Sequence, residues 1–310
     1  MPKNFWDNLP KPIIALAPMD GYTDSAFRRV CKMVNPNIVI FTEFVSADGL
    51  HHQAKKLQEK IQFSKSEHPI IAQIFGKNTE TFITAAKYCE EQGFDGVDIN
   101  MGCPSKKVIK SEHGMALRKK PDLAFKLVEA VAKASSLPVS VKTRLGWNNA
   151  DDLIDFAKGI QNAGANLITI HGRTYSQGFS DEANFTPIYK LKSHLSIPII
   201  GNGSIHSIAE GLKKLKNLDG FMIGQAAIGN PWVFSDKPTP LFKEKLPLIK
   251  KHAELLIKLK GEKVAMLEIR KHLLAYVKGM PSAKQYRSHL VHVNSLDNIY
   301  DILKTIAKEN

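Results

Sequence analysis

No stretch of this 310-residue sequence is apolar for long enough to cross a bilayer, since a membrane helix needs about 20 consecutive apolar residues. Residues 1–5 lack the apolar segment that a signal peptide carries. We therefore expect neither a membrane anchor nor export. The length is enough for one full-sized domain and a smaller second one.

Cysteine is scarce, with three residues at positions 31, 89 and 103. Their spacing matches no metal-ligand pattern, and three cysteines make no even set of disulfides. This usage is typical of a reducing cytosol, so we expect a cytoplasmic protein without a structural metal. Cys31 and Cys89 fall on the apolar faces of predicted helices, which indicates that both are core residues.

Acidic residues are outnumbered, with 30 Asp and Glu against 43 Lys and Arg, and the formal net charge is +13. Such an excess suggests a polyanionic partner, although many basic proteins bind no nucleic acid. The excess is uneven, because residues 236–310 hold 15 basic and 8 acidic residues, more than half of the net charge. This points to a separate basic module at the carboxyl end.

Eight short apolar runs, separated mostly by helical patterns, are predicted as strands. They lie at 12–17, 38–43, 70–76, the start of 97–105, 138–144, 165–170, 197–200 and 220–223. Eight such units over roughly 225 residues predict a (β/α)8 TIM barrel. The alternative is a doubly wound open sheet, which would not need polar residues at nearly every strand end.

The pattern changes at Pro238 and Pro240, which mark a linker. Residues 243–310 show only helical periods, which indicate a small helical bundle. We predict a catalytic barrel over 1–237 and a basic helical domain over 238–310.

Two basic segments are candidates for binding an anion. Lys106 and Lys107 begin a run of cations that extends to residue 120, which is either an entrance for an anion or a solvated surface. In the helical domain, cations and an aromatic occur close together, at Arg270, Lys271, Tyr276 and Lys278. Cations neutralise phosphates and aromatics stack on bases.

Polar residues and glycines follow most of the predicted strands, and the carboxyl ends of barrel strands converge on one mouth. The set is Pro18, Met19, Gln73, Asn100, Cys103, Lys142, His171, Arg173, Asn202, Gly203, Gly224 and Gln225. It contains no carboxylate pair for glycoside hydrolysis, no Ser-His-Asp arrangement and no metal cage.

What the set does contain suits a flavin mononucleotide. Glycine-rich turns after the last two strands are the usual phosphate site of a barrel, and His171 or Arg173 could add charge. Gln73 lies inside an apolar run, so its amide needs partners, which a ligand would supply. Lys142 would place a cation near the flavin N1, where it stabilises the reduced, anionic ring.

Cys103 stands in a strand-end loop, Asn100-Met101-Gly102-Cys103-Pro104, which presents side chains rather than burying them. The simpler interpretation is another buried cysteine, because cysteine is among the most buried residue types. The other strand ends favour the functional interpretation.

Taken in order, these segments resemble the tRNA-dihydrouridine synthase family over nearly the whole chain. The matching pieces are APMDGYTD at 17–24, QIFG at 73–76, DINMGCP at 98–104, VKTRLG at 141–146, HGRT at 171–174, GNG at 201–203 and GQA at 224–226. Residues 270–279 resemble the carboxyl-terminal tRNA-binding domain of that family. Each motif is moderately specific, and the ordered set is highly specific.

The resemblance implies FMN as cofactor, NADPH as reductant, tRNA as partner and a monomeric protein. In that family the reduced flavin passes hydride to uracil C6, and a cysteine matching Cys103 gives a proton to C5. The residues expected around the flavin are Pro18, Met19, Gln73, Lys142, His171, Asn202, Gly203, Ser204, Gly224 and Gln225. Those expected to face the target uridine or the tRNA are Asn100, Arg173, Lys106, Lys107, Arg270, Lys271, Tyr276 and Lys278.

Two positions depart from the family pattern. Ser204 stands where the family often has Asp or Gly, and Gln225 stands where Arg is usual, so a bidentate contact to the flavin phosphate is lost. Two other functions stay open at this point. One is an FMN barrel that acts on a free pyrimidine, such as a dihydroorotate dehydrogenase, and the other is a tRNA-binding protein without catalysis.

Overall fold

A computed structural model describes residues 5–309. The expectation about an export signal falls mostly on residues 1–4, which lie outside the described residues. No helix in the described range is long and apolar enough to cross a membrane.

Residues 5–309 contain nine strands. They are β1 (Ile13–Leu16), β2 (Val39–Phe41), β3 (Val45–Ser46), β4 (Ile70–Phe75), β5 (Gly96–Met101), β6 (Val139–Arg144), β7 (Leu167–His171), β8 (Ile199–Asn202) and β9 (Gly220–Ile223). All pairings are parallel, and β1 pairs with both β2 and β9 while β2 also pairs with β4. Eight strands therefore form a closed ring, which confirms the predicted barrel and excludes the open sheet.

The ninth strand, β3, was not predicted, because two residues carry too little pattern to be recognised. Its residues Val45 and Ser46 pair with the carboxyl end of β4.

In the part of the chain that the structure describes, nine α-helices, α1 to α9, belong to the barrel, and four more follow it. The barrel helices are α1 (Ser25–Val34), α2 (Ala47–His51), α3 (Lys55–Lys60), α4 (Thr79–Glu91), α5 (Lys106–Lys110), α6 (Pro121–Ala134), α7 (Leu153–Asn162), α8 (Thr186–Leu191) and α9 (Ile208–Leu215). The others are α10 (Phe242–Lys260), α11 (Glu262–Tyr276), α12 (Ala283–Leu290) and α13 (Leu296–Glu309). Helix caps agree with the sequence, since the Asp24 side chain accepts a hydrogen bond from Phe27 N at the start of α1.

The helices α10–α13 have their own buried cluster, into which α1 contributes Ala26 and Val30. They therefore dock on the α1 side of the barrel. The division into domains at residue 238 stays a proposal.

Inside the barrel, the amino-terminal half is apolar and the half nearer the mouth is polar. The apolar layer includes Trp6, Phe41, Ile71, Leu167 and Ile200, all buried together. Strand register then brings the inward-facing polar residues level with one another, since Gln73 pairs with Asp98, Asp98 with Ser140, and Asn100 with Lys142. This polar layer is the floor of the mouth.

Candidate active site

A cavity of about 390 Å³ opens at the carboxyl ends of the strands. Twelve of the residues expected at the site line it: Pro18, Met19, Asn100, Cys103, Lys142, His171, Arg173, Asn202, Gly203, Ser204, Gly224 and Gln225. The barrel thus brings together residues that are up to 207 positions apart in the sequence.

Cys103 lies half-buried in the loop that follows β5. Its backbone N–H donates to Asn100 Oδ1 at 3.0 Å, and its carbonyl accepts from Met115 N at 3.3 Å. Burial raises the pKa of the Cys103 thiol, with a further increase from Asp20, while Lys142 and Arg144 lower it. A thiol with a raised pKa is protonated at neutral pH and can act as an acid. Cys31 and Cys89 are fully buried, as the sequence predicts.

Gln73 is fully buried, and each end of its amide has a partner within the protein, where the sequence suggested a ligand. Its Nε2 donates to Asp98 Oδ2 at 2.6 Å, and its Oε1 accepts from Asn100 Nδ2 at 2.9 Å. Neighbouring strands satisfy the amide because they are in register, which a single strand cannot reveal. Contact between Gln73 and a flavin stays a prediction.

Lys142 projects from β6 into the cavity and donates to Asn202 Oδ1 at 3.0 Å. Asn202 is held in turn, because its Nδ2 donates to the carbonyl of Met222 at 2.8 Å. Burial, followed by the charge of Arg144, lowers the pKa of Lys142 to about 8. The amine is therefore still mostly cationic at pH 7.

His171 and Arg173 lie together at the end of β7. Burial, and then the nearby cations, lowers the pKa of His171 to about 2, so the imidazole is neutral. Arg173 donates from Nη1 to His171 Nε2 at 3.1 Å, from Nη2 to Ser204 Oγ at 2.9 Å and from Nε to the carbonyl of Asp181 at 2.6 Å. Ser204 thus fixes the guanidinium at the cavity wall.

Gly203 has a φ of +109°, a conformation that other residues rarely adopt. A Cβ built there would lie 2.8 Å from His171 Nε2 and 2.8 Å from Ala183 Cβ. Only glycine therefore fits at this position, because any side chain would collide with His171 and Ala183. Gly224 is less constrained, since the nearest heavy atom to its Cβ position, Ala17 Cβ, is 3.4 Å away. Gln225 is exposed at the cavity edge.

Lys106 and Lys107 are exposed on α5, which begins three residues after Cys103. Within the described chain, neither makes an ion pair. Arg118, in the same basic run, is different, because it is buried and donates to Asp152 Oδ1 at 2.6 Å. The entrance surface therefore includes the two lysines and excludes Arg118.

The structure corrects one candidate in the helical domain. Tyr276 is 3% exposed and its hydroxyl lies 3.1 Å from His252 Nδ1, so its ring cannot stack on a base. Tyr276 lies on the face of α11 that packs into the core of the carboxyl-terminal helices. The local sequence does not distinguish that face from the exposed one.

The other candidates in this domain differ in exposure. Arg270 is half-buried and donates from Nη2 to the carbonyl of Val293 at 2.9 Å, whereas Lys278 is exposed. Lys271 lies with its Nζ 5.4 Å from the centre of the Tyr22 ring, and Tyr22 lines the cavity. Lys271 therefore stands beside the mouth.

Arg144 and Phe179 are among the cavity-lining residues that sequence reasoning missed. Arg144 donates from Nε to the carbonyl of Gly102 and from Nη1 to the carbonyls of Thr174 and Gly178, at 2.7 to 3.0 Å. It ties the Cys103 loop to the loop after β7. Its position two residues after Lys142 is the signal that could have revealed it, whereas no pattern marks Phe179.

Comparison with known proteins agrees with this geometry. The model of the family described as Dihydrouridine synthase (Dus) matches residues 15–310. A probable tRNA-dihydrouridine synthase 1 of Synechocystis sp. is 35% identical over 300 residues, covering 93% of this chain and 84% of the relative. A probable tRNA-dihydrouridine synthase of Rickettsia prowazekii is 34% identical, covering 88% of both chains. One of Staphylococcus aureus is 33% identical, covering 96% of this chain and 93% of the relative.

Among solved structures, morphinone reductase is similar at a TM-score of 0.49 with 12% identity, covering 72% of this chain and 84% of that chain. A score of that size adds no argument about function.

Proposed function

Since the chain belongs to the dihydrouridine synthase family, we propose that it reduces a uridine of tRNA to dihydrouridine, using FMN and NADPH. The observation that carries the proposal is the meeting of a protonated thiol, Cys103, and a cation, Lys142, at one cavity.

The cavity fits a flavin mononucleotide. Gly203 lines the cavity without a side chain, so a phosphate would be able to approach its backbone closely, and Arg173 adds a cation on the same wall. Lys142 supplies positive charge nearer the barrel centre. Pro18, Met19 and Gly224 would border the ring, whereas Gln225 offers an amide in place of a guanidinium. The chemistry that a flavin held there would supply is the transfer of hydride from NADPH to C6 of the uracil.

Cys103 completes the reduction by giving its thiol proton to C5 of the uracil. The raised pKa keeps that proton on Sγ until the base arrives. Transfer leaves a thiolate, and the same Lys142 and Arg144 charges that lower the thiol pKa stabilise it. Asn100, which lies beside Cys103, would orient the uracil through hydrogen bonds.

Cations on two sides of the mouth would hold the tRNA. Lys106 and Lys107 lie on the Cys103 side, and Lys271 and Lys278 lie on the helical side. Phosphate contacts of this kind fix register and orientation, and the target base must leave its stack to enter the cavity. This placement favours tRNA over a free pyrimidine, which needs no such surface. We further propose that the protein is a cytoplasmic monomer with domains at 1–237 and 238–310.

The test is to incubate unmodified tRNA with the protein, FMN and NADPH, and to measure dihydrouridine by mass spectrometry. We expect a gain at a defined uridine. Cys103→Ala should bind flavin normally and lose most of this activity. If the wild-type protein binds flavin and oxidises NADPH but forms no dihydrouridine in tRNA, the proposed substrate is wrong.

A further inference from the structure

Asp98 is fully buried inside the barrel, between β4 and β6, and two side chains donate to it. Ser140 Oγ donates to Oδ1 and Gln73 Nε2 donates to Oδ2, both at 2.6 Å. Asp98 does not line the cavity, so it is not placed to touch a ligand. A buried carboxylate is costly unless it is well paired, so its presence one layer below the site requires a reason.

From Asp98, a chain of hydrogen bonds leads to the Cys103 loop. Gln73 Oε1 accepts from Asn100 Nδ2 at 2.9 Å, and Asn100 Oδ1 accepts from the backbone N–H groups of Gly102 at 3.2 Å and Cys103 at 3.0 Å. Each amide in the chain uses its nitrogen toward one neighbour and its oxygen toward the other.

The direction of this chain depends on the charge of Asp98. An ionised carboxylate can only accept, so the –NH₂ of Gln73 must face it. The Gln73 oxygen then faces Asn100, which turns the Asn100 oxygen toward the Cys103 backbone. If either amide flipped, two oxygens or two –NH₂ groups would face each other in a buried place, which is unfavourable.

We propose that Asp98 is a positioning residue whose carboxylate sets the direction of the Gln73–Asn100 chain and thereby holds the Cys103 loop in place. The catalytic part of this role rests on the proposed function. The backbone N–H groups of Gly102 and Cys103 orient Asn100 at one end of the chain, and the carboxylate of Asp98 orients Gln73 at the other end.

The carboxylate can lose its charge under mild conditions. Burial raises the pKa of Asp98 to about 6, against the lowering effect of the Ser140 and Gln73 hydrogen bonds and of the Lys142 charge. Lys142 on β6 is the charged group acting on Asp98, while β4 presents the neutral Gln73. Once protonated, Asp98 no longer requires a donor from Gln73, so the charge-assisted hydrogen bond that orients Gln73 weakens. Control of the Cys103 loop is therefore expected to weaken as pH falls through about 6.

The experiment measures the rate at which iodoacetamide alkylates Cys103 in the full-length protein from pH 5 to pH 9. Cys31 and Cys89 are fully buried, so the modification reports on Cys103. At higher pH the alkylation rate should be proportional to the thiolate fraction of Cys103. Below pH 6 it should be about fivefold faster than this proportionality gives, which is the effect of losing one hydrogen bond from the loop. We call the pH at which this excess begins the break.

Three variants separate positioning from simple stability. Asp98→Asn should remove the break near pH 6. Ser140→Ala should move the break to higher pH. The substitution removes a hydrogen bond that lowers the pKa of Asp98 in the wild type, so the pKa of Asp98 rises. Thr143→Val is the control and should leave the break unchanged. It also removes a buried hydroxyl from β6, but that hydroxyl donates to the carbonyl of Met101 and not to Asp98. A break that stays in Asp98→Asn, or that Ser140→Ala does not move, would overturn the proposal.

Turnover provides a second measurement. Asp98→Asn should keep its flavin and form dihydrouridine about 10- to 100-fold more slowly, since small displacements of a reacting group are that costly. Wild-type turnover in Asp98→Asn would overturn the catalytic part. If the wild-type protein itself forms no dihydrouridine, the proposed function fails, while an alkylation break that shifts in Ser140→Ala still supports the positioning role.

Discussion

Two histidines buried between the barrel and the carboxyl-terminal helices should make the protein sensitive to mild acid. His252 of α10 and His272 of α11 are both 0% exposed, and their ring centres lie 4.6 Å apart. His272 also stacks on Phe27 of α1 at 5.0 Å. Within residues 5–309, His252 Nε2 and both nitrogens of His272 have no hydrogen-bond partner. If one of these three nitrogens gained a proton, the new N–H group would have no hydrogen-bond acceptor.

The sign of the effect follows from the pKa values. Burial lowers the pKa of His252 from 6.5 to about 4, and burial and the neighbouring His252 hold the pKa of His272 well below its ordinary value. Lys271 opposes protonation of both rings, Lys260 opposes it at His272, and Asp24 favours it at His252. The unfolded chain thus binds protons more readily. The stabilisation is complete above pH 6.5 and is lost as pH falls toward 4.

The size can be worked out for His252. Linkage between a folded pKa of about 4 and an unfolded pKa near 6.5 gives a loss of about 2 kcal/mol between pH 7 and pH 5. His272 should add to this loss, because burial also lowers its pKa. The free energy of unfolding should therefore drop by more than about 2 kcal/mol over this range.

Urea unfolding at pH 7 and pH 5 measures this drop. His272→Phe should remove the part of the pH dependence that comes from His272 while keeping the stacking on Phe27. The control is His194→Phe, which replaces an exposed histidine in the same way and should leave the pH dependence intact. An identical loss of stability in the wild type and in His272→Phe would refute the reasoning.

Two further predictions follow from the cavity walls. Gly203→Ala should lose flavin, because the new methyl group would crowd His171 and Ala183 and strain a φ of +109°; retention of flavin absorbance at wild-type stoichiometry would contradict this. Lys106→Glu and Lys271→Glu should each weaken tRNA binding and flatten its dependence on salt concentration without affecting flavin reduction. Lys190→Glu, on exposed α8 surface, is the matched control. An unchanged salt slope in both entrance variants would remove these lysines from the tRNA surface.

The sequence was most informative where pattern and position coincide. Polar residues at strand ends predicted the barrel, and most of those residues line one cavity, because parallel strands present their carboxyl ends at the same face. The misses share a physical cause, which is dependence on neighbours in space. The partners of Gln73 depend on the register of β4 against β5, and the burial of Tyr276 depends on which face of α11 meets α10. Neither relation is written in the local sequence.

The side chains around the cavity are held by the protein itself before any ligand enters. Lys142 is held by Asn202, Arg173 by Ser204, and Asn100 by Gln73. Side chains that are already ordered lose little entropy on binding, and fixed dipoles stabilise developing charge without first having to turn. The polar layer beneath the mouth therefore has a purpose beyond contact with a ligand. Its residues fix the orientation of those above them, so a substitution one layer down should impair the chemistry while leaving the cavity open.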